Sequence, residues 1–255
     1  MSASQLQFLT PHWPVVARVR AAVTLRAGGV SAGPYASLNL ASHVGDAPEA
    51  VAENRRRLRA ALALPGEPLW LSQVHGTQLL DADGHGAEAA SAPPEADAAV
   101  ALRPGRVLAV LVADCLPVLL ARRDGSGIAI AHAGWRGLAA GVVEAAVAAL
   151  RSAPSQLCAW LGPAIGPAHF EVGEEVRRAF CEHDPGAATA FLPNARGRWQ
   201  CDLPALARRR LRALGLHEIH GEAPCSYAYP ERYYSYRRER VTGRLAALLW
   251  IERGS

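Results

Sequence analysis

Three apolar runs crowded into the middle of this chain constrain its fold more than any other feature. They occupy residues 107–112, 117–121 and 128–131. Each is short, none alternates with polar residues, and turn-forming residues separate them, so each is expected to be a strand buried on both faces. Strands of that kind need covering layers on both sides. Helical patterns supply them. One helix is expected from Asp46 as N-cap, with Pro48 in its first turn, to about residue 63. Others are expected at 138–150, 172–182 and 203–214, the last capped by Asp202. The 138–150 helix is apolar on most faces and should pack tightly on a sheet. Further strands are expected at 15–25, 69–74, 77–82, 157–161 and 245–251. Residues 28–34 form a Gly-rich loop, and the small, polar, Pro-containing stretch 83–96 is expected to be a mobile surface loop. Strict βαβ alternation is absent, so the fold class is α+β: mixed β-sheets flanked by helices. At 255 residues one core suffices, and a single domain over 1–255 is expected.

Composition removes several functions. All 27 positive side chains are arginine, so Schiff-base, P-loop-lysine and kinase-type-lysine chemistries are excluded. The Arg- and Ala-rich bias fits a GC-rich bacterial genome. The net charge of +4 does not point to nucleic acid, because the arginine triplets at 55–57 and 208–210 fall inside amphipathic helices and read as solvated faces. No signal peptide or membrane-spanning run is read. The 5 cysteines are scattered and form no CxxC pair, which argues for a reducing, cytoplasmic setting.

Chemistry concentrates in Q-V-H-G at 73–76, A-D-C-L-P at 113–117 and A-H-A-G-W-R-G at 131–137. Each sets one borderline or soft ligand at an expected strand end beside Gly or Pro, where strands fix position and turns give access. His75, Cys115 and His132 make a His₂Cys set that leaves a fourth position open, as catalytic zinc needs; the same set suits copper. Two other readings stay open on spacing alone. The histidines could be hydrogen-bonded structural residues, or Cys115 could be a nucleophile with His132 as its base. Blue copper adds an axial methionine, and the only methionine is Met1. The 9 histidines include no His-x-His pair, so a trinuclear copper cluster cannot be built as well. The H-x-E with P-C-x-x-C pattern of zinc cytidine deaminases is missing.

Other polar groups could hold an anion. Arg26 opens R-A-G-G-V-S, Ser37 and Asn39 follow a Gly-Pro turn, and Arg136 lies just before an expected helix start. The ordinary alternative makes Ser37 and Asn39 turn residues. Arg55 on the first helix reads as a surface residue on pattern, with an inward-pointing role as the alternative, and Y-Y-S-Y-R-R at 233–238 is too short for a nucleic-acid patch.

With these blocks in view, the chain resembles the YfiH-type family, also called laccase-domain or multicopper polyphenol oxidase-like proteins. The resemblance runs from about residue 26 to 250. It rests on G-G-V-S at 28–31, S-L-N-L at 37–40, H-V-G-D at 43–46, N-R at 54–55, the three ligand motifs, L-G-P-A-I-G-P at 161–167, F-E-V-G at 170–173, and S-Y-R-R with T-G-R at 235–244. It implies a mixed fold of sheets flanked by helices. It implies zinc on His75, Cys115 and His132, with copper as the alternative metal. It implies phosphorolysis of adenosine, inosine, guanosine or methylthioadenosine to base and ribose 1-phosphate, with adenosine deamination as a side activity. Alternatives within the family are copper-dependent polyphenol oxidation and peptidoglycan precursor editing. On this reading Cys115, His132 and Asp114 are catalytic, and Arg26, Ser37, Asn39, Gln73, Arg136 and Glu171 bind substrate. Arg26 and Arg136 orient phosphate, while Asp114 or Glu171 offsets charge at the ribosyl carbon. The partners are a purine nucleoside and phosphate, with neither nucleic acid nor membrane, in a monomer or homodimer. The chain departs from the family at Ala168-His169 and at Glu239-Arg240-Val241, both at the expected pocket rim.

Overall fold

The computed structural model describes residues 6–85 and 92–253. Its strands are β1 (Phe8–Leu9), β2 (Val19–Thr24), β3 (Pro68–Leu69), β4 (Leu79–Asp81), β5 (Ala98–Ala101), β6 (Val107–Val112), β7 (Leu116–Arg122), β8 (Ile128–Ala133), β9 (Leu157–Leu161), β10 (Glu171–Val172), β11 (Phe191–Pro193), β12 (Trp199–Cys201), β13 (Ile219–His220) and β14 (Leu245–Ile251). The helices are α1 (Pro48–Leu62), α2 (Trp135–Ala140), α3 (Val142–Ala149), α4 (Glu174–Cys181), α5 (Leu203–Ala213) and α6 (Tyr236–Glu239).

Two sheets, ordered β1-β2-β14-β6-β3 and β13-β9-β7-β8-β5-β4, carry the fold, and a small sheet β10-β12-β11 stands beside them. The apolar runs are continuous because both faces of their strands are covered. In β6, Leu108, Val110 and Val112 join Leu119, Ala121, Ile128 and Ile130 in a core between the two sheets. The alternate residues Val107, Ala109 and Leu111 pack with Leu58 of α1 and with Trp70. On the far face of the second sheet, Leu116, Val118 and Leu120 meet α3, α4 and α5 through Val143, Phe180 and Leu206. The result is four layers, helix–sheet–sheet–helix, a mixed α+β architecture as the sequence implied. No described helix is long and apolar enough to cross a membrane.

Several expected boundaries move, each for a local reason. The 15–25 strand starts at Val19, because turn bonds from Val15 and Val19 amides close the preceding residues. The 69–74 strand stops at Leu69; beyond it, the Asp97 carboxylate takes the amides of Val74, His75 and Gly76. The N-cap of α1 is Ala47, since the Asp46 carboxylate accepts from Ser31 and Asn39 instead of capping the helix. The 138–150 helix is two, broken at Gly141, which sits at φ 106° and donates to the carbonyls of Gly137 and Leu138. The 172–182 helix begins at Glu174 because Glu171 and Val172 pair with β12. Asp202 does cap α5, accepting from the Ala205 amide. Arg55 points inward, donating twice to the Leu40 carbonyl over the Trp70 ring, and Arg208 and Arg210 also bond carbonyls rather than facing solvent. Of the 83–96 loop, residues 86–91 lie outside the described residues; Glu95 bridges to Ser72 and Ala96 is buried.

Candidate metal centre

Sheet register brings the three motifs to one end of the molecule. β7 and β8 pair with Pro117 opposite His132, and β5 and β8 pair with Ala98 opposite Ala131. Cys115, just before β7, therefore lies beside His132 near the end of β8, and Asp97, just before β5, lies on His132's other side. His75 joins them from a turn in which its own backbone is left-handed, at φ 63°. One ligand atom from each of His75, Cys115 and His132 lies within 4.8 Å of the others. Cys115 Sγ is 3.7 Å from His75 Nε2. The two imidazoles meet edge-on at 4.8 Å between centroids.

Glycine makes that approach physically available. A Cβ on Gly134 would stand 2.9 Å from His75 Cδ2 and 3.0 Å from Cys115 Sγ. One on Gly137 would stand 2.8 Å from the Gly76 carbonyl. The glycines of G-W-R-G let α2 close over the ligands.

Asp97 was not anticipated from the sequence. Fully buried, it accepts from His132 Nδ1 at 2.8 Å and from the amides of Val74 at 3.2 Å, His75 at 3.0 Å and Gly76 at 2.7 Å. With Nδ1–H given to Asp97, His132 presents Nε2 to Cys115; a carboxylate on the far nitrogen is what orients metal-binding imidazoles. Burial pushes the Asp97 carboxyl up, but the bonds from His132 and Gly76 outweigh it and hold it below the usual carboxylate value. Burial likewise opposes charge on Cys115, yet His132 and His75 outweigh it and bring the thiol down to about 6. Burial would lower His132, while Cys115 and Asp97 lift it to about 9. Each charge favours the other, so the pair leans toward a Cys115 thiolate beside a protonated His132. A divalent ion of the zinc or copper kind fits that donor chemistry by displacing the proton held between Cys115 and His132.

The trio opens into a cavity of about 570 Å³ at the shared end of both sheets, within the ordinary range for small-molecule sites. Arg244 enters from the other sheet, because Leu245 pairs with Val112 and sets Arg244 opposite Ala113. His43, Arg237, Arg240, Tyr236, Trp135 and Phe170 complete much of the wall. Burial, then the charges of Arg244 and Arg55, hold His43 below the ordinary imidazole value. A larger cavity of about 880 Å³ runs along α5 and contains none of the three candidate ligands.

Of the other expected site residues, Gln73, Asp114 and Arg136 line the cavity. Gln73 is committed, however: its amide bonds both the N–H and the C=O of Leu111, standing in for a strand neighbour of β6. Asp114, at φ 88°, accepts from Ser226 Oγ at 2.6 Å and from the Arg237 amide at 2.7 Å, so both oxygens are occupied. Arg136 lies within α2, not before it, and rests on Trp135. Arg26, Ser37, Asn39 and Glu171 are not part of the cavity wall. Arg26 bonds the Ala36 and Pro230 carbonyls and pairs with Glu239. Ser37 bonds the Gly29 amide and the Arg26 carbonyl. The Asn39 side-chain oxygen accepts from Ala41 and from the Arg244 amide. Glu171 is taken by Asn194 and Arg196. These are loop-building contacts, and two of them, through Glu239 and Arg244, anchor the arginine-bearing loop of the cavity. The motifs S-Y-R-R and T-G-R carried the signal for Arg237 and Arg244, while Arg240 lies between them where the chain departs from the family pattern; nothing local marked Asp97.

Comparison with known proteins bears on what such a site does. A family model described as multi-copper polyphenol oxidoreductase laccase matches residues 20–252. The chain is 50% identical over 246 residues to a protein of Pseudomonas aeruginosa named purine nucleoside phosphorylase, covering 96% of this chain and 98% of that one. It is 47% identical over 245 residues to the purine nucleoside phosphorylase YfiH of Escherichia coli, covering 96% and 99%. A crystal structure of a Neisseria meningitidis protein of the DUF152 family superposes with a TM-score of 0.91 at 45% identity, covering 96% and 99%.

Proposed function

Because this chain belongs to the multi-copper polyphenol oxidoreductase laccase family and is up to 50% identical to proteins named purine nucleoside phosphorylase, we propose that it is an enzyme that cleaves purine nucleosides with phosphate. The substrates are adenosine, inosine, guanosine and methylthioadenosine, and the products are the free base and ribose 1-phosphate. The bond from C1′ to the purine nitrogen breaks, and a phosphate oxygen takes its place on C1′. The observation that carries this reading is the His75–Cys115–His132 convergence in a cavity walled by arginines.

Zinc would be held by His75, Cys115 and His132. When bound, it would supply Lewis acidity beside the cavity, chemistry that adenosine deamination as a side activity would also use. The protein's own groups do the rest. Asp97 holds the His132 tautomer and the His75 turn. Arg136 and the arginines of the 236–244 loop attract phosphate. Asp114 acts through the residues it bonds, fixing Ser226 and the Arg237 backbone, instead of meeting the ribosyl unit. Phosphate, itself anionic, offsets the positive charge that develops at C1′. The five cysteines are unpaired, which supports a reducing, cytoplasmic setting.

The family's description favours a second reading, copper-dependent oxidation of phenols. Against it, the described residues hold one His/Cys/acid group able to bind a metal, and the chain's single methionine is Met1. Replacing Cys115 with alanine tests the site. Zinc content and base release should both be lost; a variant keeping wild-type zinc and turnover would remove the site assignment.

A further inference from the structure

A second thiol–imidazole pair stands outside the cavity wall. Cys225 Sγ lies 3.5 Å from His169 Nδ1, and the Gly166 amide donates to the same sulfur at 3.2 Å. Neither Cys225 nor His169 lines the cavity that holds the trio. Both are half-buried, so solvent reaches the pair. His169 falls where the chain departs from the family pattern, and Cys225 lies in none of the motifs that carry the resemblance. The pair is therefore a feature of this chain and not of the pattern that defines its family.

Two segments build it. The Ala164 amide donates to the Pro224 carbonyl and the Ser226 amide to the Ala164 carbonyl, which sets Cys225 beside the chain at 164–166. The His169 amide returns to the Gly166 carbonyl at 3.0 Å and folds His169 back toward the sulfur. Only glycine lets the segments close, since a Cβ at Gly166 would stand 3.2 Å from both Cys225 Cβ and Sγ. The His169 ring stacks on Tyr227, with centroids 4.4 Å apart and a 20° tilt, and so stays in place with Nδ1 beside the thiol. The other cysteines outside the trio differ. Cys158 and Cys201 are buried, and burial pushes both thiols up. Cys181 is half-buried, with no imidazole bonded to it among the described residues.

A hydrogen bond between thiol and ring explains the contact in the resting protein, but the donor set suits a metal as well. Bonds of roughly 2.3 Å to sulfur and 2.0 Å to imidazole nitrogen span about 3.5 Å at a tetrahedral angle. Cys225 and His169 already stand at that span. Among the described residues no third His, Cys or acidic side chain converges on them. Zinc draws three or four ligands from a protein, more than this pair offers. Soft thiolate ligands select copper(I), a monovalent ion that is stable with few donors. The Gly166 amide would stay on the sulfur as an outer partner.

We propose that Cys225 and His169 form a copper(I) site separate from the His75–Cys115–His132 trio. The metal takes the place of the thiol proton, which leaves to solvent, and no electron is transferred. Nothing in this depends on phosphorolysis or on which metal the trio holds.

The test titrates the zinc-loaded, full-length protein with copper(I) under anaerobic conditions, against bicinchoninate as competitor, while zinc content is followed. The wild type should take up one more equivalent of copper(I) than C225S and keep its zinc. H169F leaves a ring for Tyr227 to stack on but removes the ligand nitrogen. Losing even an outer partner of a metal ligand costs about 10- to 100-fold, so H169F should weaken copper(I) binding at least about tenfold. C181S should bind as the wild type does. His169 is half-buried and its ring shape is kept, so H169F carries the test if C225S fails to fold. Copper(I) uptake in C225S equal to that of the wild type would overturn the proposal. So would wild-type affinity in H169F, or copper(I) uptake matched throughout by loss of zinc from the trio.

Discussion

Asp97 stands 2.8 Å from His132 Nδ1 while also receiving the backbone amide of His75, so one buried carboxylate sets the orientation of two candidate ligands. Each of its contacts is an N–H donor, which only an acceptor on both oxygens can satisfy. Asp97→Asn would set an amide N–H against one of those donors. Zinc affinity should fall by about 10- to 100-fold, the usual effect of losing such a partner. Competition with a chelator measures it; wild-type affinity would show that His132 needs no orienting carboxylate.

The metal-free protein should show an unusually acidic thiol. Cys115 is brought down to about 6, so the thiolate persists above that pH and is lost as pH falls through it. Alkylation of Cys115 by iodoacetamide in the chelator-treated protein should therefore be half-maximal near pH 6. An ordinary thiol would reach that point near pH 8.5. Zinc binding should weaken below the same pH, because protons then compete for the sulfur. Half-maximal alkylation above pH 8 would contradict the charge pairing of Cys115 with His132.

Gly134→Ala tests how close α2 must come. The added methyl would meet His75 Cδ2 at 2.9 Å and Cys115 Sγ at 3.0 Å, so the ligands must separate. The variant should fold, lose bound zinc and lose base release. Circular dichroism with metal analysis checks this, and full zinc occupancy would contradict it.

How much of this was legible follows from which residues announce themselves locally. The runs at 107–112, 117–121 and 128–131 declared β6, β7 and β8 because both faces of each are covered. The Gly- and Pro-flanked Cys115 and His132 marked strand ends, while His75 sits in a turn well past β3. β5 was missed: its four residues, Ala-Ala-Val-Ala, are too small to stand out from an Ala-rich chain. Asp97, just before it, lies one residue past the 83–96 loop and belongs to none of the motifs; only the pairing of β5 with β8 sets it against His132. Gly141 breaks a helix whose pattern is apolar on both sides of it. Arg26, Ser37 and Asn39 read as anion ligands because their residue types suit that task. In the structure those donors and acceptors meet backbone groups and the carboxylates of Glu239 and Asp46 instead. Sequence shows which groups a chain has, but their partners depend on long-range packing, as with Asn39 and Arg244.

Phosphate-dependent base release tests the central claim most directly. Zinc-loaded, copper-free protein should release adenine from adenosine when phosphate is present, yield ribose 1-phosphate in equal amount, and stop when phosphate is withheld. Adenine release at the same rate without phosphate, or none unless copper is supplied, would contradict the account.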